Sequence, residues 1–474
     1  MKRRGFVVGS ASAVAASSFL GLPACGASSA QVLTPAIKSK IGQVFLSQVN
    51  TITTFPDRAL YNLIKQTAAS NPSPQQVEVA LALLGGYAGS PPQFVPTPIP
   101  PAAALSFPAD HGEHFDMQIE WRYITLSLPL SNGGLASVIA NFFRKSIATA
   151  TTAPTLAPID RQVYSTSIAV TIEMPGKPGV HYALPTTTFA PIDGTVAVTN
   201  NPFSMRIGSN SLTGTSSVFP LHVHIEDAGD STRPPIVIDV DCANTNPLFL
   251  QGQNGYVGPD TKPGEVPSVG WRYYSWPQQK TTGTVSIAGT NYGVSGGLAW
   301  MDHQFGGSPV VTSGPVGSWS GWCWFEFQFS GNRSLTLAAP HGPVPSGVLP
   351  ADNSGFGTYI ENGVSSLVAC DLKVPSYVAS PSTTARYPSA WSIDVRGTGI
   401  LLNVVPRTTV EPQALWMGQL AEYSEASATA TATGTVGGAP VTMQGVGYCE
   451  GVGFEDPAAE DARQTAFLQA NLRH

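Results

Sequence analysis

Ile119-Glu120-Trp121-Arg122-Tyr123-Ile124-Thr125, Ser167-Ile168-Ala169-Val170-Thr171-Ile172 and Trp324-Phe325-Glu326-Phe327-Gln328-Phe329 are short runs in which large or β-branched side chains recur at every second position. A period of two sends alternate side chains to opposite faces of an extended chain, so each run reads as a strand with a buried face. Gly, Pro and Asn clusters separate such runs at hairpin-like intervals from Phe107 onward. Several hundred residues of this kind make one large or two smaller antiparallel β-barrels or sandwiches.

Composition agrees with a mainly β fold. The 474 residues include 48 Gly and 41 Pro, well above the usual ~12%, and 11% are charged, less than half the usual ~25%. That length allows two or three domains. A net charge of −6, with no Lys/Arg run beyond the first four residues, argues against a nucleic-acid partner, which needs a basic stripe to displace counterions. With 42% hydrophobic and 9% aromatic residues the chain has enough apolar material for a core. There is no strict short-period repeat, which disfavours a solenoid or propeller.

Residues 1–30 read as an export signal. Lys2-Arg3-Arg4-Gly5-Phe6 followed by the small apolar run Ser10 to Leu22 is similar to a twin-arginine leader. Leu22-Pro23-Ala24-Cys25-Gly26 resembles a lipobox that would make Cys25 a lipid anchor, the alternative being cleavage near Ala27 to Ala30. No later segment reaches the ~18 apolar residues of a transmembrane helix. The expected location is therefore periplasmic, secreted or lipid-anchored at a bacterial cell envelope. A helical preface is expected over 31–87, with Ser73-Pro74 as a start signal and Gly85-Gly86 as a stop. A Pro-rich linker follows over 88–106, then β-domains over 107–312 and 313–456, then a helix over 457–474 with Asp456 as N-cap. Cys25, Cys242, Cys323, Cys370 and Cys449 form no C-x-x-C pair, so most are expected to be buried thiols.

Gly293-Val294-Ser295-Gly296-Gly297 matches the G-x-S-x-G pattern of serine hydrolases, yet its flanks read as strand where that elbow needs a following helix. His222 and His224, two apart on a predicted strand, share a face as metal ligands would. Lacking a clear third ligand, they read as solvent-facing. No HExxH, P-loop or Rossmann fingerprint is present. Two stretches concentrate acids and histidines among aromatics: Phe107 to His114 continuing to Glu120-Trp121-Arg122-Tyr123, and Gly297 to Gly306 around Trp300-Met301-Asp302-His303. Such groups are costly to bury unless they are paired or used.

Taken together these stretches resemble the lipocalin-like family of carotenoid hydratases and AttH-type proteins, often labelled predicted secreted hydrolases. The resemblance is carried by Asp110-His111-Gly112 with His114, Glu120-Trp121-Arg122-Tyr123, Tyr273-Tyr274-Ser275-Trp276-Pro277 and Trp300-Met301-Asp302-His303. It continues through Gly321-Trp322-Cys323-Trp324-Phe325, Tyr387-Pro388 with Trp391, Tyr423-Ser424-Glu425 and Gly447-Tyr448-Cys449-Glu450-Gly451. Arg122, Ser424 and the run Glu450-Gly451-Val452-Gly453 depart from the family pattern, so a different substrate shape is expected.

The resemblance implies two lipocalin-like β-barrel or sandwich domains enclosing an apolar pocket where the two clusters converge. It also implies a cofactor-free, metal-free hydratase (a hydro-lyase) acting on a bulky apolar unsaturated molecule such as a terpenoid, polyene or lipid. Asp302 is then the expected proton donor, since a carboxyl desolvated among aromatics is held protonated. His303 or Glu120 is the expected base that orients water. Trp300, Trp121, Tyr123, Tyr273, Tyr274, His111, His114, Trp322, Trp324, Glu425 and Tyr448 would line the substrate site, with the faces of Trp300, Trp121, Tyr273 and Tyr274 toward developing positive charge. Two other readings stay open: a lipid or terpenoid carrier without chemistry, and a cofactor-free cyclase, isomerase or secreted hydrolase.

Overall fold

The computed structural model describes residues 105–466 except 116, 118, 147–156, 160–161, 185–187, 190–195, 216, 253, 258–270, 307–320, 345–346, 352, 409–411, 418–420, 437–438, 461 and 464–465. The export signal, the helical preface and nearly all of the linker lie outside the described residues.

The described chain is two antiparallel sheets. The first has fourteen strands, its main path running Val180–Ala183, Gln162–Glu173, Leu135–Ser146, Ile119–Pro129, Thr290–Gly306, Trp271–Ile287, Ile236–Cys242, Leu221–Asp227, Asn210–Gly214, Phe203–Ile207 and Val196–Asn200. Among the described residues its end strands do not pair, and the sheet forms a half-barrel rather than the closed form that the sequence allowed. The second sheet runs Ile400–Pro406, Arg386–Arg396, Val364–Ala379, Asn353–Glu361, Arg333–His341, Gly321–Phe329, Ala439–Val452 and Ala421–Val436. Ala421–Val436 then pairs back onto Ile400–Pro406 and closes an eight-stranded barrel. Closure leaves no free edge.

Alternation along the strands decides what each face holds. Ile124, Leu126, Leu128, Val138, Phe142 and Val170 fill the half-barrel. Phe325, Phe327, Trp391 and Ile393 fill the barrel, where Ala428, Ala430 and Ala432 make room for the large rings opposite. The intervening positions point the other way, so that Tyr123, Ile139, Ala169 and Trp300 from the first sheet meet Tyr423, Tyr448 and Val452 from the second in a separate cluster. This seam between the two bodies is where the candidate site lies.

Sequence features settle locally as well. The run Gly293 to Gly297 lies inside the strand Thr290–Gly306, so no nucleophile elbow forms there. His222 and His224 sit half-exposed on the sheet's outer face, opposite Asp241 and Asp239 on the neighbouring strand. Asp456 accepts from the backbone N–H groups of Ala458 and Ala459 and caps a helical turn at 457–460. Cys242, Cys323, Cys370 and Cys449 are buried free thiols.

Candidate active site

Asp302 and His303 are neighbours on one strand and therefore point to opposite faces of the first sheet. His303 faces the half-barrel interior. Its Nε2–H donates to Glu120 at 2.6 Å, which leaves Nδ1 to accept from the Tyr274 hydroxyl at 2.6 Å. The same network takes in the Asp110–His114 segment: His111 meets Tyr274 at 2.9 Å, and His114 bonds Glu120 at 3.0 Å and Asp110 at 3.2 Å. Arg122 and Arg144, both fully buried, hold Glu113 and Glu120 and also donate to the backbone carbonyls of His111, Gly112 and His114.

Each titratable group in that network has a partner that fixes its state. Burial alone would raise the Glu120 carboxyl, but the charge of His114 and its hydrogen bonds hold it well below the usual range. Burial opposes charge on His114 too, yet Glu120 and Asp110 raise it to about 9. Burial and Arg122 push His303 down to about 3 and His111 to about 4. Ligand atoms of His114, Glu120 and His303 lie within 4.8 Å of one another. Two arginines already occupy Glu120 and both His303 nitrogens are bonded, so these residues read as an ion-pair clasp that ties the Asp110–His114 segment to the sheet.

The other face carries a different chemistry. Asp302 is 3% exposed and accepts three hydrogen bonds, from Ser275, from the Tyr273 hydroxyl at 2.6 Å and from Trp300 Nε1 at 2.7 Å. Burial pushes its carboxyl up, those three donors restrain it, and the balance is about 6. Ser275 is held in turn by Gln251, which accepts from Thr336 of the second sheet at 3.1 Å.

Across the seam the barrel presents Trp322, Trp324 and Glu326, then Tyr448 and Glu450, then Glu425, on three adjacent strands. Glu425 and Glu450 are cross-strand partners that share a hydrogen bond. Burial raises all three glutamates; mutual repulsion adds to this for Glu425, and Trp322, donating at 2.9 Å, restrains Glu450 to about 7. The two walls touch through Thr125, which donates to Glu326 at 2.7 Å, and through the Tyr123 and Trp324 rings, edge to face at 4.9 Å. Trp121, Tyr273, Trp322 and Trp324 remain half-exposed. The seam therefore combines three buried carboxyl groups, Asp302, Glu326 and Glu425, and the half-buried Glu450 with half-exposed aromatic rings.

The residues expected from the sequence fall into two places. Asp302, Trp300, Tyr123, Tyr273, Trp322, Trp324, Glu425 and Tyr448 meet at the seam. Trp121 packs on Trp271 with ring centres 5.0 Å apart. Glu120, His303, His111, His114 and Tyr274 belong to the clasp on the opposite face, which corrects the expectation that the two clusters converge in one pocket. Strand alternation separates them, so neither Glu120 nor His303 faces the groups around Asp302. Ser275, Thr125, Gln251, Glu326 and Glu450 were not singled out as site residues. Glu326 and Glu450 had a signal, an acid at a strand position beside Trp or Tyr, whereas Ser275, Thr125 and Gln251 had none.

A half-barrel packed against a closed barrel, with carboxyl groups and aromatic rings meeting at the seam, defines a two-body lipocalin-like β-protein. The AttH-like family profile matches residues 98–454, and the chain belongs to that family. A crystal structure described as AttH, from Nitrosomonas europaea, is similar at 21% identity and a TM-score of 0.57, covering 76% of this chain and 99% of that one. Kievitone hydratase from Nectria haematococca is similar at 15% identity and a TM-score of 0.51, covering 76% of this chain and 97% of that one. No curated protein sequence matches the chain.

Proposed function

We propose that the protein is a cofactor-free hydratase that adds water to, or removes it from, an isolated double bond of a bulky apolar molecule held at the seam. The observation that carries this reading is the buried Asp302 carboxyl, which accepts from the hydroxyl of half-exposed Tyr273 and from the Trp300 indole N–H. Protonated Asp302 passes its proton to Tyr273 as the Tyr273 O–H proton goes to the double bond. Trp322 and Trp324, half-exposed on the barrel wall, stabilise the cation through their ring faces. Water then forms the C–O bond, and its surplus proton returns through Tyr273 to Asp302, so a single carboxyl serves both steps. A substrate of terpenoid, polyene or lipid type suits the aromatic walls, and the hydratase among the similar structures is consistent with the reaction class. The export signal read over residues 1–30 supports a reaction outside the cytoplasm, with Cys25 as candidate lipid anchor.

The test is incubation of the purified protein with a terpenoid and lipid extract in ¹⁸O-water, followed by mass spectrometry. The expected product carries one labelled water, and Asp302→Asn lowers its formation by about 10²–10⁴-fold, the usual worth of a positioned acid. A product of unchanged mass would instead indicate a cyclase or isomerase. Apolar ligand retained unchanged, and equally by Asp302→Asn, would indicate a carrier.

A further inference from the structure

Contacts across the seam set its two walls in register. Tyr123 meets Trp324 and Thr125 meets Glu326. The first sheet's row Asp302, Tyr123, Asn141 therefore lies opposite the barrel's row Trp324, Glu450, Glu425. The next row toward the half-exposed rings holds Tyr273 and Trp121, and from that side Trp322 donates to half-exposed Glu450 at 2.9 Å. Behind Glu450, three atoms of the facing rows are fully buried and complete no hydrogen bond among the described residues: Tyr123 Oη, Asn141 Oδ1 and Glu425 Oε2. They are neighbours, since Tyr123 and Asn141 are cross-strand partners and Tyr123 restrains the Glu425 carboxyl. Buried polar groups left unpaired are costly, so these three call for a partner.

The partner that suits them is one small group that both donates and accepts. Tyr123 has an O–H to give and Asn141 Oδ1 can only accept, while burial and repulsion from Glu450 favour a protonated Glu425. An anionic group would face carboxyls here, because Arg122 and Arg144 point to the opposite face and Arg407 is held by Glu173 at 3.0 Å. We propose that Tyr123, Asn141 and Glu425, with Glu450 at the entrance, bind a hydroxyl group of the ligand, so that the seam takes an apolar alcohol or phenol rather than a pure hydrocarbon. As a substrate class this rests on the hydratase reading; as a binding site it does not. Tyr123 is the strand partner of Asp302, so the bound hydroxyl lies within about two strand spacings, roughly 10 Å, of that carboxyl. The double bond protonated through Tyr273 then belongs to the same molecule, several carbons from the hydroxyl.

The test is retention of compounds by the purified protein from a terpenoid and lipid extract, before and after exhaustive acetylation, which caps hydroxyl groups and leaves hydrocarbons unchanged. Mass spectrometry of the retained material is expected to show hydroxyl-bearing compounds, bound about tenfold less well once acetylated, equivalent to about 1.4 kcal/mol. Glu425→Leu and Asn141→Leu are expected to weaken binding of the free alcohol by a similar factor, and Glu425→Gln, which keeps a donor and an acceptor, to restore it. Hydrocarbons retained as well as alcohols, nothing retained at all, or alcohols held undiminished by the folded leucine variants would overturn the proposal. So would a crystal structure of the loaded protein with a water, in place of a ligand oxygen, on Tyr123 Oη and Asn141 Oδ1. Should the leucine variants not fold, the two extracts on the unaltered protein decide. An alcohol retained but never hydrated leaves the site standing and removes the hydratase reading; a hydrocarbon hydrated as readily as an alcohol does the reverse.

Discussion

Replacing Asp302 by Asn keeps its shape and deletes its charge, and the consequence for stability can be worked from the burial of that carboxyl. The ordinary value of 3.8 rises to about 6 in the folded protein, because desolvation outweighs the three donors around it. At about 1.4 kcal/mol per pH unit this corresponds to about 3 kcal/mol. The sign follows from proton linkage: the folded state binds the proton more tightly than the unfolded state, so stability falls as pH rises from 3.8 through 6 and is level above that. The amide of the variant carries no proton that titrates in this range. Urea unfolding followed by tryptophan fluorescence is therefore expected to show Asp302→Asn gaining about 3 kcal/mol on the parent protein between acid and neutral pH. Acid-labile elements such as the Glu120–His114 clasp contribute to both proteins and cancel in the difference. Parallel stability curves for the two proteins would mean that Asp302 titrates as a solvated group, and the proton chemistry assigned to it would fall with that result.

Tyr273→Phe removes the hydroxyl that donates to Asp302 at the seam; turnover is expected to fall by about 10²-fold or more, with an unchanged far-UV circular dichroism spectrum showing that the fold is kept. Glu450→Gln deletes a carboxyl raised from 4.5 to about 7, so the variant is expected to melt higher than the parent above pH 7, the difference vanishing below pH 4.5. Equal melting temperatures at alkaline pH would contradict the burial of that acid. Arg144→Met leaves Glu113 and Glu120 with Arg122 alone of their two arginines and is expected to cost about 3–5 kcal/mol in urea unfolding, while Asp302 on the opposite face keeps its titration.

Much of this arrangement was legible in the chain. The alternation in Trp322-Cys323-Trp324-Phe325-Glu326-Phe327 separates barrel core from seam, since Cys323, Phe325 and Phe327 go inward while Trp322, Trp324 and Glu326 go outward. The same rule, applied to Trp300-Met301-Asp302-His303, would have separated Asp302 from His303; reading them as one cluster weighted nearness in sequence over strand geometry. The clasp was harder to foresee. Arg122 stands out in the sequence only as a departure from the family pattern, and Arg144 lies in an apolar strand, where nothing marks it as the cation for two distant glutamates. Whether the first sheet closes was likewise beyond pattern, because closure depends on the pairing of its end strands rather than on any local period.

Each β-body fills its interior with its own side chains, so the seam is a third compartment distinct from both cores. Exchanging one indole for another, or an acid for an amide, along that surface leaves both hydrophobic interiors untouched. An ancestral scaffold built this way can retool its chemistry by point changes on facing walls, much as a lock is re-keyed without recasting its housing.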